Sequence, residues 1–395
     1  MRGLRIGTAF GIPIRLDLTF LVVLPLFAWL IGGDVGNLVG VLNGVFDIAM
    51  PAETLTAGAV PWLLGATAAT GLFACILCHE FGHSVVAMRY GYEIESITLW
   101  LFGGVARFVE MPENWKQELT VAIAGPVVNV GLGIVAYLGV LAVPGGLPAV
   151  RFVLAYLALT NVALAIFNML PGFPMDGGRV LRALLARKRT HARATQLAAE
   201  VGKLFAVGLA IVGLFANLFL IALAFFIYIA ASSEAQQTAM KAAFQGVTVG
   251  DIMTPVAELH TVTADTDLVT LTERMFRERH TGYPVLRAGG LVGMVTLDDT
   301  RDVREVEHDA YRVEDVMATD LVTIRPDADA MDAISTMQRE GVGRLPVVDD
   351  GGEFVGLISR SDLVTAFNVI RTGGAAGGGR SALDRLSGDP DLVQR

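Results

Sequence analysis

The chain has 395 residues, of which 53% are hydrophobic and 17% charged, with a formal net charge of −9. One soluble globule would carry about 25% charged residues, so a single water-soluble domain is excluded. The two cysteines, Cys75 and Cys78, offer no disulfide framework, and the acidic balance argues against direct nucleic-acid binding.

The apolar excess lies in residues 1–235, whereas residues 246–371 hold 23 Asp or Glu, 12 Arg and no Lys. A membrane span needs roughly 20 apolar residues. Runs at about 15–33, 60–88, 119–143 and 150–170 are read as spans. The first follows a short basic N-terminus and has no small-residue cleavage site, so it reads as a retained anchor. A last block, about 197–232, is too long for one span and softens at Gly213 and Asn217. Two short spans joined by a tight turn bring the total to about six. Arg2, Arg5 and Arg89 then share a side with Arg179, Arg182, Arg187, Lys188, Arg189 and Arg193. The positive-inside rule makes that side cytoplasmic. The N-terminus and the acidic C-terminal half are expected there, on a multi-pass protein of the cell membrane.

The second run contains His79-Glu80-Phe81-Gly82-His83. Histidines four apart lie on one helix face and can grip one metal, with the glutamate beside a metal-bound water as general base. Ionisable groups inside an apolar span are costly unless paired or metal-bound, which favours function over coincidence. Two His and one carboxylate with an open position suit zinc. Ligand type alone leaves other divalent metals open. Cys75-Ile76-Leu77-Cys78-His79 also matches a haem-attachment pattern. That use would consume His79 inside a membrane helix, so the cysteines read as packing residues.

A third ligand is sought after the fourth run, in Asn168-Met169-Leu170-Pro171-Gly172-Phe173-Pro174-Met175-Asp176-Gly177-Gly178. Prolines and glycines break the helix there, and irregular backbone at membrane depth lines a cavity or is buried in protein. On pattern alone, Asp176 reads equally as an oxygen ligand or as a solvated acid in a helix-ending turn.

The paired motifs resemble the site-2 protease family of intramembrane zinc metalloproteases, over residues 1–235. The resemblance implies His79, His83 and Asp176 as zinc ligands, Glu80 as catalytic base, and Asn168 as a group holding the substrate or its oxyanion. Met175 stands where the family pattern often has Leu. The family's third-span pattern recurs as Gly125-Pro126-Val127-Val128-Asn129. Asn129 reads as a support for the site or as a packing residue, packing being preferred. Residues 97–108 are apolar, β-prone and too short to span, and similar proteins fold them as a membrane-associated strand pair. Its edge could take a substrate strand, with a simple interfacial loop as the alternative.

Residues 246–371 contain a repeat. Asp251-Ile252-Met253-Thr254 returns as Asp315-Val316-Met317-Ala318, Tyr283-Pro284-Val285 as Leu345-Pro346-Val347, and Val292–Thr296 as Val355–Ser359. Helical spacing at 268–279 and 330–340 is followed by short Val-rich strands. The pattern resembles a tandem pair of CBS modules, 246–308 and 309–371. That likeness implies an adenosine nucleotide (ATP, ADP or AMP) held by Thr296 with Asp299 and Ser359 with Asp362. A purely structural or dimerising pair, giving a homodimer, is the alternative, since Arg360 is one of few basic residues nearby. Residues 372–395 are glycine-rich and read as a disordered tail.

The expected fold is multi-domain: a polytopic α-helical membrane domain with a short β segment, then an α/β CBS pair. The expected function is hydrolysis of peptide bonds in or near the transmembrane segment of a single-span membrane protein, regulated by the soluble pair. The alternative is a CBS-gated ion channel or metal transporter. It is disfavoured because the spans lack a repeat and their acids cluster at one place.

Overall fold

The computed structural model describes residues 3–101, 103–108, 114–301, 303–304 and 307–373. Arg2, Phe102 and the tail beyond residue 373 lie outside the described residues. The chain forms two compact units, Met1–Thr238 and Ala239–Arg395.

The first unit opens with a hairpin, β1 (Leu4–Ala9) and β2 (Ile12–Leu16). Its two-residue turn, Phe10 and Gly11, has φ of 52° and 81°. Left-handed backbone at both turn residues matches the right-handed twist of paired strands. Next come α1 (Phe20–Gly33), α2 (Val35–Phe46), α3 (Ala52–Leu55) and the long α4 (Val60–Arg89). Strands β3 (Ile94–Trp100) and β4 (Gly103–Phe108) follow. Helices α5 (Trp115–Ala142), α6 (Pro148–Asn168), α7 (Asp176–Ala186), α8 (His191–Ala216) and α9 (Leu218–Ala243) complete the set.

The strand pair expected at 97–108 is half of a larger sheet. Its order is β1-β2-β3-β4, with β2 and β3 parallel through Ile14↔Ile97 and β3 and β4 antiparallel through Thr98↔Val105. Residues 4–16, read as a basic lead and the start of a span, are strands instead. Leu99 of β3 is buried with Phe20, Val23 and Phe73, which seats the sheet on α1 and α4.

Helices α4, α5, α6, α8 and α9 are long and apolar enough to cross a membrane. At 14 residues, α1 reaches only about 21 Å. It bends by 72° into α2, and the pair counted as one span gives six. The last apolar block breaks at Asn217, whose side chain accepts from Phe219 N at 2.8 Å and so caps α9. Gly213 stays inside α8 and packs on Ile221. The two expected short spans are therefore helices of 26 residues each. Phe215, Leu218 and Phe219 around the break are 88%, 78% and 68% exposed. Such an apolar surface suits lipid and would be a liability in water.

Arg182 departs from its reading as a cytoplasmic surface charge, being only 2% exposed. From α7 its Nε donates to Glu118 of α5 at 2.5 Å and its Nη1 to Glu234 of α9 at 2.7 Å, while its guanidinium lies 5.0 Å from the Phe173 ring centroid. Breaking such a buried ion network costs about 3–5 kcal/mol, because the partner charge is left unpaired away from water. The network ties α7 to two spanning helices. Arg187 stays exposed, with its guanidinium 4.9 Å from the Trp115 ring centroid.

The second unit contains β5 (Thr254–Pro255), β6 (Val262–Thr263), α10 (Leu268–Glu278), β7 (Gly282–Arg287), β8 (Gly290–Thr296) and α11 (Leu297–Arg301). Then come α12 (Val313–Val316), α13 (Ala330–Glu340), β9 (Arg344–Val348), β10 (Phe354–Ser359) and α14 (Arg360–Gly373). Asp267 caps α10, accepting from Thr270 N at 2.8 Å, and this bond holds its carboxyl below the usual range. The lead-in segments of the repeats are exchanged. β5 pairs with β10, through Pro255↔Gly356, and Ala318 bridges Met294 of β8. Phe244, Val247 and Val249 accordingly sit in the core of the second repeat, and Val313 in that of the first.

Candidate metal centre

α4 carries His79 and His83 one turn apart, 6% and 3% exposed. His83 Nδ1 donates to the Val121 carbonyl at 2.7 Å, with the proton placed by its acceptor. The lone pair of His83 is therefore left at Nε2. That atom lies 3.1 Å from His79 Nε2, and Asp176 Oδ2 lies 3.1 and 3.2 Å from the two.

The size of this triangle tests whether zinc fits. Bonds of about 2.0–2.1 Å at tetrahedral angles put neighbouring ligand atoms about 3.3 Å apart. The observed edges of 3.1–3.2 Å match one face of such a tetrahedron, and all three residues line a cavity. His79, His83 and Asp176 are the group of three among the described residues whose ligand atoms can hold a metal ion. Asp176 is the first residue of α7, 9% exposed, after a break whose Phe173 and Met175 are 2% and 4% exposed. Met169, Pro171 and Pro174 of the break are exposed, but Asp176 itself is packed inside protein, so the solvated-turn alternative does not hold for it. A carboxylate at a helix start also meets the positive end of the helix dipole.

Glu80 lies in the same cavity as the triangle and is bonded to β4. Its Oε2 accepts from Ala106 N of β4 at 3.2 Å. A side chain at Gly104 would meet Glu80 Cγ at 2.5 Å. The base candidate thus lies directly on the strand backbone, and glycine at 104 allows it. Ala106 N–H points away from β3, so the outer edge of β4 faces Glu80. Glu80, Asn168 and Asp176 line one cavity of about 330 Å³ with His79, His83 and residues of β4. The structure thereby brings together all five residues read from the two motifs.

Gly125 and Arg344 were not singled out from sequence. Gly125 of α5 lies against both imidazoles, where a Cβ would stand 2.2 Å from His83 Nε2 and 2.7 Å from His79 Cε1. Its place in the quoted Gly125–Asn129 motif was the available signal.

In the second unit, Thr296 N and Oγ1 both donate to Asp299 Oδ2 at 2.7 Å. Ser359 N and Oγ donate to Asp362 Oδ2 at 2.8 and 2.7 Å. Each pair thus closes the turn that starts a helix. Arg344, in register with Ser359, donates to Thr281 Oγ1 at 2.9 Å and lies beside Gly282, the partner of Thr296. Burial pulls its guanidinium below the ordinary value, and the Asp362 carboxylate opposes that shift. One cation therefore stands where the two repeats meet, supplied by the strand of the second repeat.

Two family models match the chain. Peptidase family M50 matches residues 67–150 and 148–209, and the CBS domain matches 249–304 and 313–369. Rip3 of Mycobacterium tuberculosis is 34% identical over 93% of both chains. Zinc metalloprotease MJ0392 of Methanocaldococcus jannaschii is 32% identical over 93% of this chain and 96% of that one. A solved site-2 protease from Methanocaldococcus jannaschii aligns at 33% identity with a TM-score of 0.41, covering 59% of this chain and 95% of that one. The chain belongs to peptidase family M50, as a membrane zinc metalloprotease that carries a C-terminal pair of CBS domains.

Proposed function

We propose that the chain hydrolyses peptide bonds in or beside the transmembrane segment of single-span membrane proteins, with His79, His83 and Asp176 holding the zinc. The observation that carries this reading is the tetrahedral-sized triangle of ligand atoms beside Glu80 and a strand edge. Zinc held there acidifies a water and polarises the scissile carbonyl.

The protein's own groups do the rest. A helical peptide bond is shielded, so the substrate segment must unwind. The outer edge of β4 offers backbone groups to an extended strand. Pairing there competes with Glu80 for Ala106 N–H and frees the carboxylate. Glu80 then takes a proton from water as the water oxygen bonds to the carbonyl carbon, and delivers it to the leaving nitrogen as the C–N bond breaks. Asn168, at the end of α6, holds the substrate backbone or its developing oxyanion. We further propose that six spans and a cytoplasmic N-terminus bring the chain after α9 back to the cytoplasmic side.

Metal analysis of wild type and Asp176→Ala, paired with a cleavage assay, tests the ligand set. The variant is expected to lose most of its zinc and all measurable cleavage. Full zinc occupancy in the variant would remove Asp176 from the site.

A second reading concerns regulation. We propose that the cleft at Thr296, Asp299, Ser359 and Asp362 binds an adenosine nucleotide, with Arg344 facing phosphate and the free Asp oxygens facing ribose. Arg344 supports it, since sequence alone left the phosphate without an evident cation. Calorimetric titration of the full chain with ATP, ADP and AMP should show binding that Arg344→Ala weakens by about tenfold, the worth of one lost charged hydrogen bond. Binding unchanged by the substitution, or proteolysis equal with and without nucleotide, would remove the site or its regulatory role respectively.

A further inference from the structure

Asn129 lies one helical turn beyond Gly125, on the face of α5 turned to the imidazoles. It is 0% exposed and lines the same cavity as His79, Glu80 and Asn168. Neither its Oδ1 nor its Nδ2 has a hydrogen-bond partner among the described residues. The other amides of this unit are better met: Asn161, also 0% exposed, donates to Leu157 O at 2.8 Å though its Oδ1 has no partner, and the half-buried Asn43 exchanges two bonds with Met50. A carboxamide desolvated inside a membrane-embedded helix bundle, with both ends unmet, costs free energy that Leu at the same place would not. Packing alone therefore fails to account for asparagine here.

A polar group that the protein itself leaves unmet at a cavity wall can be met by what binds there. A carboxamide offers one acceptor and a paired donor, the complement of a peptide unit with its N–H and C=O. A helical segment hides those groups in its own bonds, and an unwound one presents them. We propose that Asn129 is a substrate-binding residue, whose side-chain amide takes up a backbone N–H or C=O of the unwound substrate next to the scissile bond. It acts from α5, and so adds a contact independent of β4. This rests on the endopeptidase reading above. His79 Nδ1 is also without a partner, so orientation of His79 by Asn129 is the competing role.

The test uses the full zinc-loaded chain and a fluorescent single-span model peptide, an apolar helix of about 20 residues with a central Gly-Pro pair. Peptide binding is measured by anisotropy on Glu80→Gln protein, with and without Asn129→Leu, beside zinc content and thermal stability. The inference expects Asn129→Leu to weaken binding about tenfold, to leave zinc unchanged, and to leave stability equal or raised. The single variant should lose kcat/KM to the same degree. Equal binding, zinc loss, or a lowered Tm would each overturn it, the last two marking an orienting or packing role. A wild type that binds the peptide without ever cleaving it would overturn the endopeptidase reading alone. The binding comparison would still decide Asn129.

Discussion

Glu80→Gln is expected to lower cleavage by roughly 10²–10⁴-fold, the usual contribution of a positioned general base, while zinc content stays at the wild-type level. The geometry makes this substitution unusually clean. Glu80 is not one of the three converging ligand atoms, so the metal site is not touched. The glutamine carbonyl keeps the shape and can still accept from Ala106 N, so β4 stays on α4. What is lost is the capacity to take a proton from water and return it to the leaving nitrogen. Metal content and turnover of a single-span reporter, measured on one preparation in liposomes, check the result. Wild-type turnover in the variant would mean that proton transfer runs through another group. Retained metal flux with no proteolysis in either protein would favour the transporter alternative instead.

The candidate metal site was legible in the sequence because the proposed ligands come in two short motifs. His79 and His83 are four apart on a helix, and Asp176 follows a run of prolines and glycines that only a buried or cavity-lining segment tolerates at membrane depth. What was hidden depends on contacts between distant segments. Residues 4–16 carry a weak alternation beside an apolar run, and only pairing with β3, about eighty residues on, makes them sheet. Arg182 sits among five other cations, and nothing local marks it as the one that meets Glu118 and Glu234. The repeat in the soluble half showed plainly at an offset of 62–64 residues. The exchange of lead-in segments between its copies leaves no trace in that offset, because each copy keeps its own order along the chain. Arg344 was passed over for the same reason, since its neighbours Thr281 and Gly282 belong to the other copy. Asn217 and Gly213 show a smaller version of this. Both weaken a helix, but Gly213 packs on Ile221, and Asn217 has the side chain that caps a new helix.

Gly125→Ala should abolish zinc binding and cleavage together while leaving the helix at least as stable. In isolation the change favours a helix by about 1 kcal/mol. Its effect here comes from a methyl group placed 2.2 Å from His83 Nε2, 2.6 Å from His83 Cε1 and 2.7 Å from His79 Cε1. These rings cannot give way freely. His83 is tied through Nδ1 to Val121 O on the same helix that carries the new methyl, so moving α5 moves the anchor with it. Relief of the overlap requires a displacement on the order of an ångström, whereas a working metal site tolerates only about 0.2 Å in its ligand distances. Gly131→Ala in the same helix is the control, because nothing lies within 4 Å of its Cβ position. Zinc analysis, reporter cleavage and thermal unfolding of both variants should separate them: Gly131→Ala with full zinc and wild-type turnover, Gly125→Ala folded and inert. A Gly125→Ala protein that keeps zinc and turnover would mean that α5 stands farther from the two imidazoles, and that the triangle of His79, His83 and Asp176 is not braced from that side.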